Sequence, residues 1–383
     1  MTTHLFGRKK DVSSALNETP FSGSTQVTSI NTGGVQSIYN DNEMALTNRV
    51  VDNTDQIKDG YDTEGQNTAF DILKYSESKA SPVILDINDV NLDWGSTQVI
   101  IDIDDTIKSS GGYSLFNVHL GGIDTQYERG ELYPGSFQFI LELSTYKIGS
   151  KKKPLMLAVL TTRIPQVPIT SDSLLNTRFK QVAERRGFKN WGIDCQNKIL
   201  YSTFKEWVWY DTRGEKKFVN FKQLHKYVSD QNQDVRYIWI GDTGDKDLEA
   251  GEMMIKHFPG RIRAVFMHYV NHSSHGNFSK SIPNDYYLKS VPVLFFRTYV
   301  GAARKALEHG LLNHNALSRV LVQAVMDLDA CKDQGKSKWK DLMKDVLEAE
   351  EAANLKRYNA KIVLKTRDII KNKIKEIASS ENV

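Results

Sequence analysis

Two cysteines, Cys195 and Cys331, in a chain of 383 residues are too few for a disulfide framework or a cysteine-rich zinc site. A reducing, cytoplasmic setting is the simplest expectation, with both thiols packed as small buried hydrophobes. An excess of one charge is missing as well, since 50 Lys and Arg face 47 Asp and Glu for a net charge of +3. Nucleic-acid binding usually shows as a strongly basic domain or stripe, so no nucleic-acid partner is expected. Long apolar runs are also lacking. The longest stretches, such as Val291 to Phe296, fall far short of the roughly 18 residues of a spanning helix. The basic start at Arg8, Lys9 and Lys10 is not followed by the apolar segment of a secretory signal. Any membrane contact is therefore expected to be peripheral.

What is present is ordinary globular composition, 40% hydrophobic and 25% charged, which excludes a collagen, a coiled-coil rod and wholesale disorder. Residues 1–80 are rich in Ser, Thr, Asn, Asp and Gly and read as a mobile polar leader. From Gln98 the pattern changes to short apolar runs that end on polar residues. Val99-Ile100-Ile101 ends on Asp102, Leu155 to Leu160 on Thr161-Thr162, Val235 to Ile240 on Gly241-Asp242, and Ala264 to Met267 near His268. Helix-like stretches lie between them, notably Ser171 to Arg186 and Lys217 to Val228, the latter with Phe218, Phe221 and Leu224 on one face. Alternating strands and helices imply an α/β fold, a parallel sheet with helices on both faces, whose ligands sit at the carboxyl ends of the strands.

From Val291 onward the chain reads as mostly helical. Residues 81–320 are expected to form the main domain and 321–383 a helical, basic amphipathic extension. In that extension Leu355, Tyr358, Ile362, Ile369 and Ile377 mark an apolar stripe flanked by lysines and arginines from Lys356 to Lys375. A helix packed on the domain with a solvated lysine face is the favoured reading, and a helix lying on an anionic membrane surface is the alternative.

The chemistry concentrates in Asp102-Ile103-Asp104-Asp105-Thr106, where three carboxylates within four positions close a buried strand. Such a cluster is costly unless a cation neutralises it, and an all-oxygen set suits Mg²⁺ better than zinc. Alone it also fits an acidic turn capping a helix. A second acidic loop, Gly241-Asp242-Thr243-Gly244-Asp245-Lys246-Asp247, ends another buried strand, and two acidic strand ends in one sheet can hold one metal between them.

Taken in order, strand-DxDxT, strand-Thr, a helix-start lysine and strand-GDxxxxD resemble the haloacid dehalogenase superfamily of phosphotransferases. The narrower resemblance is to the actin-patch-associated phosphatidate phosphatase family and its bacterial relatives. It rests on the two acidic loops with Asp247 and Glu249, on Tyr133-Pro134-Gly135, on Phe295-Phe296-Arg297-Thr298-Tyr299 with Ala302-Ala303, and on Gly310-Leu311-Leu312. The resemblance implies a Rossmann-like parallel sheet without a large cap domain and a Mg²⁺-dependent phosphomonoesterase that converts phosphatidate to diacylglycerol. It also implies the roles. Asp102 is the nucleophile that forms an aspartyl-phosphate and Asp104 the acid and base. Mg²⁺ is held by Asp102, the Asp104 backbone carbonyl and Asp242, with Asp247 reaching it through water. Thr161 stands where a phosphoryl-binding hydroxyl belongs, although Thr161-Thr162-Arg163-Ile164-Pro165 departs from the relatives' Ser-x-Ser-Pro segment and leaves Thr162 open as well. Lys217 is the best-placed phosphate lysine, with Lys216 and Lys222 as alternatives.

Ile107 to Glu131, with two Gly-Gly pairs, suffices for a hairpin flap only. An open site suits a substrate presented on a surface, a membrane phospholipid or a phosphoprotein, better than a small metabolite that needs enclosure from water. Trp207 to Tyr210 are candidates for an interfacial edge, or for core strand. The competing functions are a phosphatase for a phosphoprotein or small ester, and a non-catalytic phospholipid-binding scaffold.

Overall fold

The computed structural model describes residues 84–380, apart from 113, 116–117, 120–122, 150, 164, 166–167, 203–211, 271–281, 332–334 and 353. The leader (1–80) and Trp207 to Tyr210 lie outside the described residues.

The main sheet has seven strands: β1 (Thr97–Ile101), β2 (Ala158–Leu160), β3 (Ile199–Leu200), β4 (Arg236–Asp242), β5 (Ile262–His268), β6 (Tyr286–Leu288) and β7 (Val291–Phe296). Their order is β6-β7-β5-β4-β1-β2-β3, and every neighbouring pair is parallel except β6 with β7. The chain leaves β1 toward β2 and β3, then returns to β4 on the other side. Asp102 and Asp242 therefore flank the point where the winding reverses, where open α/β sheets bind ligands. The four apolar runs expected as strands are all present. The mostly helical reading from Val291 is corrected at its start, because Val291–Phe296 is a buried strand followed by helices.

Alternation along the strands divides the core in two. Val99, Ile101, Ile238, Ile240, Ala264 and Phe266 face one side, packed with helices α1 (Ser136–Thr145) and α2 (Leu174–Arg185). Ile100, Tyr237, Trp239, Val265 and Met267 face the other, under α3 (Arg213–Gln231) and α4 (Asp247–His257).

Four further helices, α5 (Tyr299–Glu308), α6 (His314–Asp329), α7 (Lys336–Ala352) and α8 (Leu355–Ser380), join the first layer. Trp339, Val346, Val363 and Ile370 belong to the same apolar cluster as β1, so the helical extension shares the domain's core. In α8 the most buried positions are Val363, Thr366 and Ile370, one residue past the stripe expected through Ile362 and Ile369, which are half-buried. A kink at Asn359, with φ −144° and ψ 48°, re-aims the helix. Lys361, Lys371 and Lys375 stay exposed. Cys195 and Cys331 are half-buried rather than fully enclosed. No helix among the described residues is long and apolar enough to cross a membrane.

Because Trp339 is fully enclosed, Trp339→Ala is expected to cost about 3 kcal/mol by deleting a large core side chain. The urea midpoint is the readout, and a loss below about 1 kcal/mol would mean that α7 is peripheral to the core.

Candidate functional site

Backbone pairing sets Asp102 beside β4, its N–H donating to Ile240 O at 2.9 Å. Asp242 is the last residue of β4, and Asp247 opens α4. One carboxylate oxygen from each of Asp102, Asp242 and Asp247 lies within 4.8 Å of the others, and all three residues are buried. Gly241 makes this approach possible. A Cβ there would stand 2.6 Å from Asp247 Cβ, so a side chain would push the two acidic segments apart.

Helix α3 delivers the cations. Lys217 and Arg213 are one turn apart and therefore share a face. Lys217 Nζ lies 3.2 Å from Asp102 Oδ2 and 3.2 Å from Asp245 Oδ2, and it also donates to Asp247 Oδ1. Arg213 Nη1 donates to Asp245 Oδ1 at 2.6 Å. Four buried carboxylates thus meet two buried cations, a deficit of two positive charges.

Burial pushes the Asp102 carboxyl well above the usual range; Lys217 opposes this, while Asp247, Asp245 and Asp104 add to it. Asp242 is raised for the same reason, first by burial and then by Asp247 and Asp105. Burial also lifts Asp247 to about 6 despite Lys217. Asp245 goes the other way, because Lys217 and Arg213 outweigh its burial. Burial disfavours the charge on Lys217, but Asp102, Asp247, Asp245 and Asp242 around it hold it well above its ordinary value.

Two buried oxygens, Asp102 Oδ1 and Asp242 Oδ2, have no hydrogen-bond partner among the described residues. An unmatched pair of carboxylate oxygens beside a two-charge deficit fits a divalent cation. The donors are all hard oxygens, so the residues present suit such an ion.

The two threonines differ in what their hydroxyls do. Thr162 Oγ1 donates to Asp245 Oδ2 at 2.9 Å, so its proton is engaged. Thr161 is buried, and its Oγ1 accepts from Arg163 N at 3.2 Å, which leaves its hydroxyl proton to be donated. Among the lysines, Lys217 is in the cluster. Lys222 lies over the Phe218 ring, and Lys216 is half-buried. Asp104 is brought to the same place but is gripped by Arg163, Nε to Oδ2 at 2.6 Å and Nη2 to Oδ1 at 2.6 Å. Asp247 has both oxygens engaged, Oδ1 by Lys217 and Oδ2 by Asp242 N at 3.1 Å, so it braces the loop more than it offers a free ligand atom.

Several contributors escape sequence reasoning. Asp245 is the hub for Lys217, Arg213 and Thr162, although in sequence it is one more acid in a turn. Arg213 could have been found from its four-residue spacing before Lys217. Asp105, at φ +57°, is a buried tether in a conformation that Asp tolerates better than most residues. Its carboxylate accepts from Ser110 N at 2.8 Å, Asp124 N at 2.9 Å and Ile123 N, which binds both roots of the segment 111–122. In that segment Ser114–Leu115 pairs antiparallel with Val118–His119, the short flap expected there. His268 Nδ1 faces Asp105 O at 2.7 Å and its ring lies against Tyr133, so the end of β5 supports the tether.

No protein-family model, no curated protein and no solved structure matches the chain.

Proposed function

We propose that this protein is a Mg²⁺-dependent phosphomonoesterase of the haloacid dehalogenase type, working through an aspartyl-phosphate on Asp102. The observation that carries the reading is the buried cluster at the winding reversal: Asp102, Asp242 and Asp247 around Lys217, with two carboxylate oxygens left without partners. Asp102 and Asp242, with the Asp104 carbonyl, would hold Mg²⁺, which when bound offsets the repulsion between carboxylate and phosphoryl group.

The chain's own residues supply the rest. Lys217 holds Asp102 through Oδ2 and thereby orients the nucleophile. Thr161 offers its hydroxyl proton to a phosphoryl oxygen. An Asp102 oxygen bonds to phosphorus as the bond to the ester oxygen breaks, and Asp104, once it has left Arg163 and taken up a proton, gives that proton to the departing alkoxide. Asp104 then takes a proton from the water that cleaves the aspartyl-phosphate, so inorganic phosphate leaves and Asp102 is restored.

Phosphatidate is the proposed substrate on the strength of the motif resemblance. The exposed Lys361, Lys371 and Lys375 of α8 are compatible with an anionic membrane surface, each contributing on the order of 1 kcal/mol near it. Val363 and Ile370 are core residues, so the surface contact is to be probed by Lys→Gln changes at those three sites and not by removing the helix.

The test is phosphate release from an aryl phosphate and from dispersed phosphatidate, with Mg²⁺ and with a chelator. Release that needs Mg²⁺ is expected from both, with phosphatidate preferred. Cleavage of the aryl phosphate alone would keep the phosphatase and remove the lipid. Absence of turnover on either would favour a phospholipid-binding scaffold.

A further inference from the structure

The inner part of the site is short of positive charge, but its outer part is not. Asp104 and Arg163 keep 17% and 23% of their side-chain surface exposed, whereas Asp102, Asp242, Asp247 and Lys217 are enclosed. The pair is therefore where this site reaches solvent.

Lys108 stands next to it. Its backbone bridges to Asp104 on one side and to Leu132 on the other. Its Cε passes 3.5 Å from the place a Cβ on Gly130 would occupy, beside Arg129. Lys108 is half-buried, and its ammonium has no hydrogen-bond or ion-pair partner among the described residues. Burial holds it below the usual lysine range, and Arg163 and Arg129 add to that while Asp104 opposes. Arg163 thus holds the carboxylate of Asp104, and Lys108 stands beside the pair without a carboxylate of its own. Every inner cation, by contrast, is matched by at least one carboxylate.

The ammonium and the Arg163 guanidinium repel each other, and an anionic ligand between them relieves that repulsion. The fork itself specifies the shape of the ligand. Arg163 spends two parallel donors, Nε and Nη2, on Asp104 in this structure, and the same fork suits a phosphate or carboxylate edge once Asp104 turns away from it.

We propose that Arg163 and Lys108 form a second anion subsite, which receives a phosphate or carboxylate group adjacent to the scissile phosphoryl group. The substrate class is then a phosphomonoester with a second acidic group beside it, carried by its own leaving group or by a neighbouring anionic lipid headgroup. The proposal rests on the phosphatase reading above and narrows it.

The experiment compares kcat/KM with Mg²⁺ for two soluble esters of equal chain length, propyl phosphate and the phosphate ester of hydroxypropanoate. A second arm compares phosphatidate in phosphatidylcholine vesicles with phosphatidate in vesicles that also contain phosphatidylserine. Both arms are run on the wild type, Lys108→Gln and Arg163→Gln. About a tenfold preference for the acidic ester is expected, the size of one charge-assisted hydrogen bond, falling to near unity in both variants. A preference confined to the anionic vesicles and lost in both variants also supports the subsite and assigns the second anion to a neighbouring lipid. A variant that merely disturbed the fold would lower both members of a pair in proportion and leave the ratio standing. Equal rates within both pairs in the wild type, or a preference that survives both substitutions, would overturn the subsite and leave the phosphatase intact. If the wild type cleaves no ester at all, the phosphatase reading falls first and takes the subsite with it.

Discussion

Under the proposed mechanism, Asp102→Asn is expected to lower phosphate release by about a thousandfold or more, because the amide cannot form the aspartyl-phosphate. The same change is expected to stabilise the metal-free protein by about 1 kcal/mol or more, since it removes one of four buried carboxylates that face two cations. The amide oxygen can still accept from Lys217. Opposite signs on activity and stability are the mark of a site whose charges are arranged for chemistry at the expense of folding. Urea midpoints in chelator, set beside turnover with Mg²⁺, give both numbers from one preparation. A variant that keeps more than about a tenth of the wild-type rate would remove Asp102 as the nucleophile. One that loses stability in chelator would mean that the acidic cluster is already neutralised within the chain.

Lys217→Met is the counterpart, with the largest expected cost to the fold. The ammonium is fully enclosed and touches Asp102, Asp245 and Asp247, so removing it strands buried charges and should cost about 3–5 kcal/mol near neutral pH.

The sign of the pH dependence follows from Asp247, whose carboxyl burial raises to about 6 even with Lys217 present. A carboxyl raised in the folded state holds its proton when the unfolded chain has lost its own. Folding then takes up a proton, and stability falls as pH rises from the ordinary carboxylate range through the folded value. Removing Lys217 moves that folded value further up. The deficit of the variant should therefore be greatest above about pH 6 and smallest in acid, where Asp247 carries its proton in both proteins. Urea titrations across that range, with and without Mg²⁺, measure it. A deficit below about 1 kcal/mol at every pH would show that Lys217 is not the counter-charge of the cluster.

The Asp102→Asn and Lys217→Met predictions rest on residues that were legible in sequence to different degrees. The strand ends carrying Asp102, Thr161 and Asp242 were readable, because short apolar runs that stop on polar residues follow directly from a buried parallel sheet. Lys217 was readable from the apolar face that follows it in α3. Val291–Phe296, at the head of a region that reads as mostly helical, is a strand, since a short wholly apolar run has no periodicity to tell strand from helix and only pairing with β5 decides it.

The sequence alone determined which side chains bear charge and which strands deliver them: acids at the ends of β1 and β4, a lysine on the face of α3, and no span for a membrane among the described helices. Tertiary structure alone decided the pairing. It assigned Asp245 to Lys217, Arg213 and Thr162, left Asp102 Oδ1 and Asp242 Oδ2 without partners, and set Arg163 on Asp104 beside Lys108. The reason is physical. Burial and strand order are written locally, in residue types and their period. The balance of charge at a point depends on distances of a few ångströms between residues up to about 150 positions apart, and those exist only after the sheet has closed.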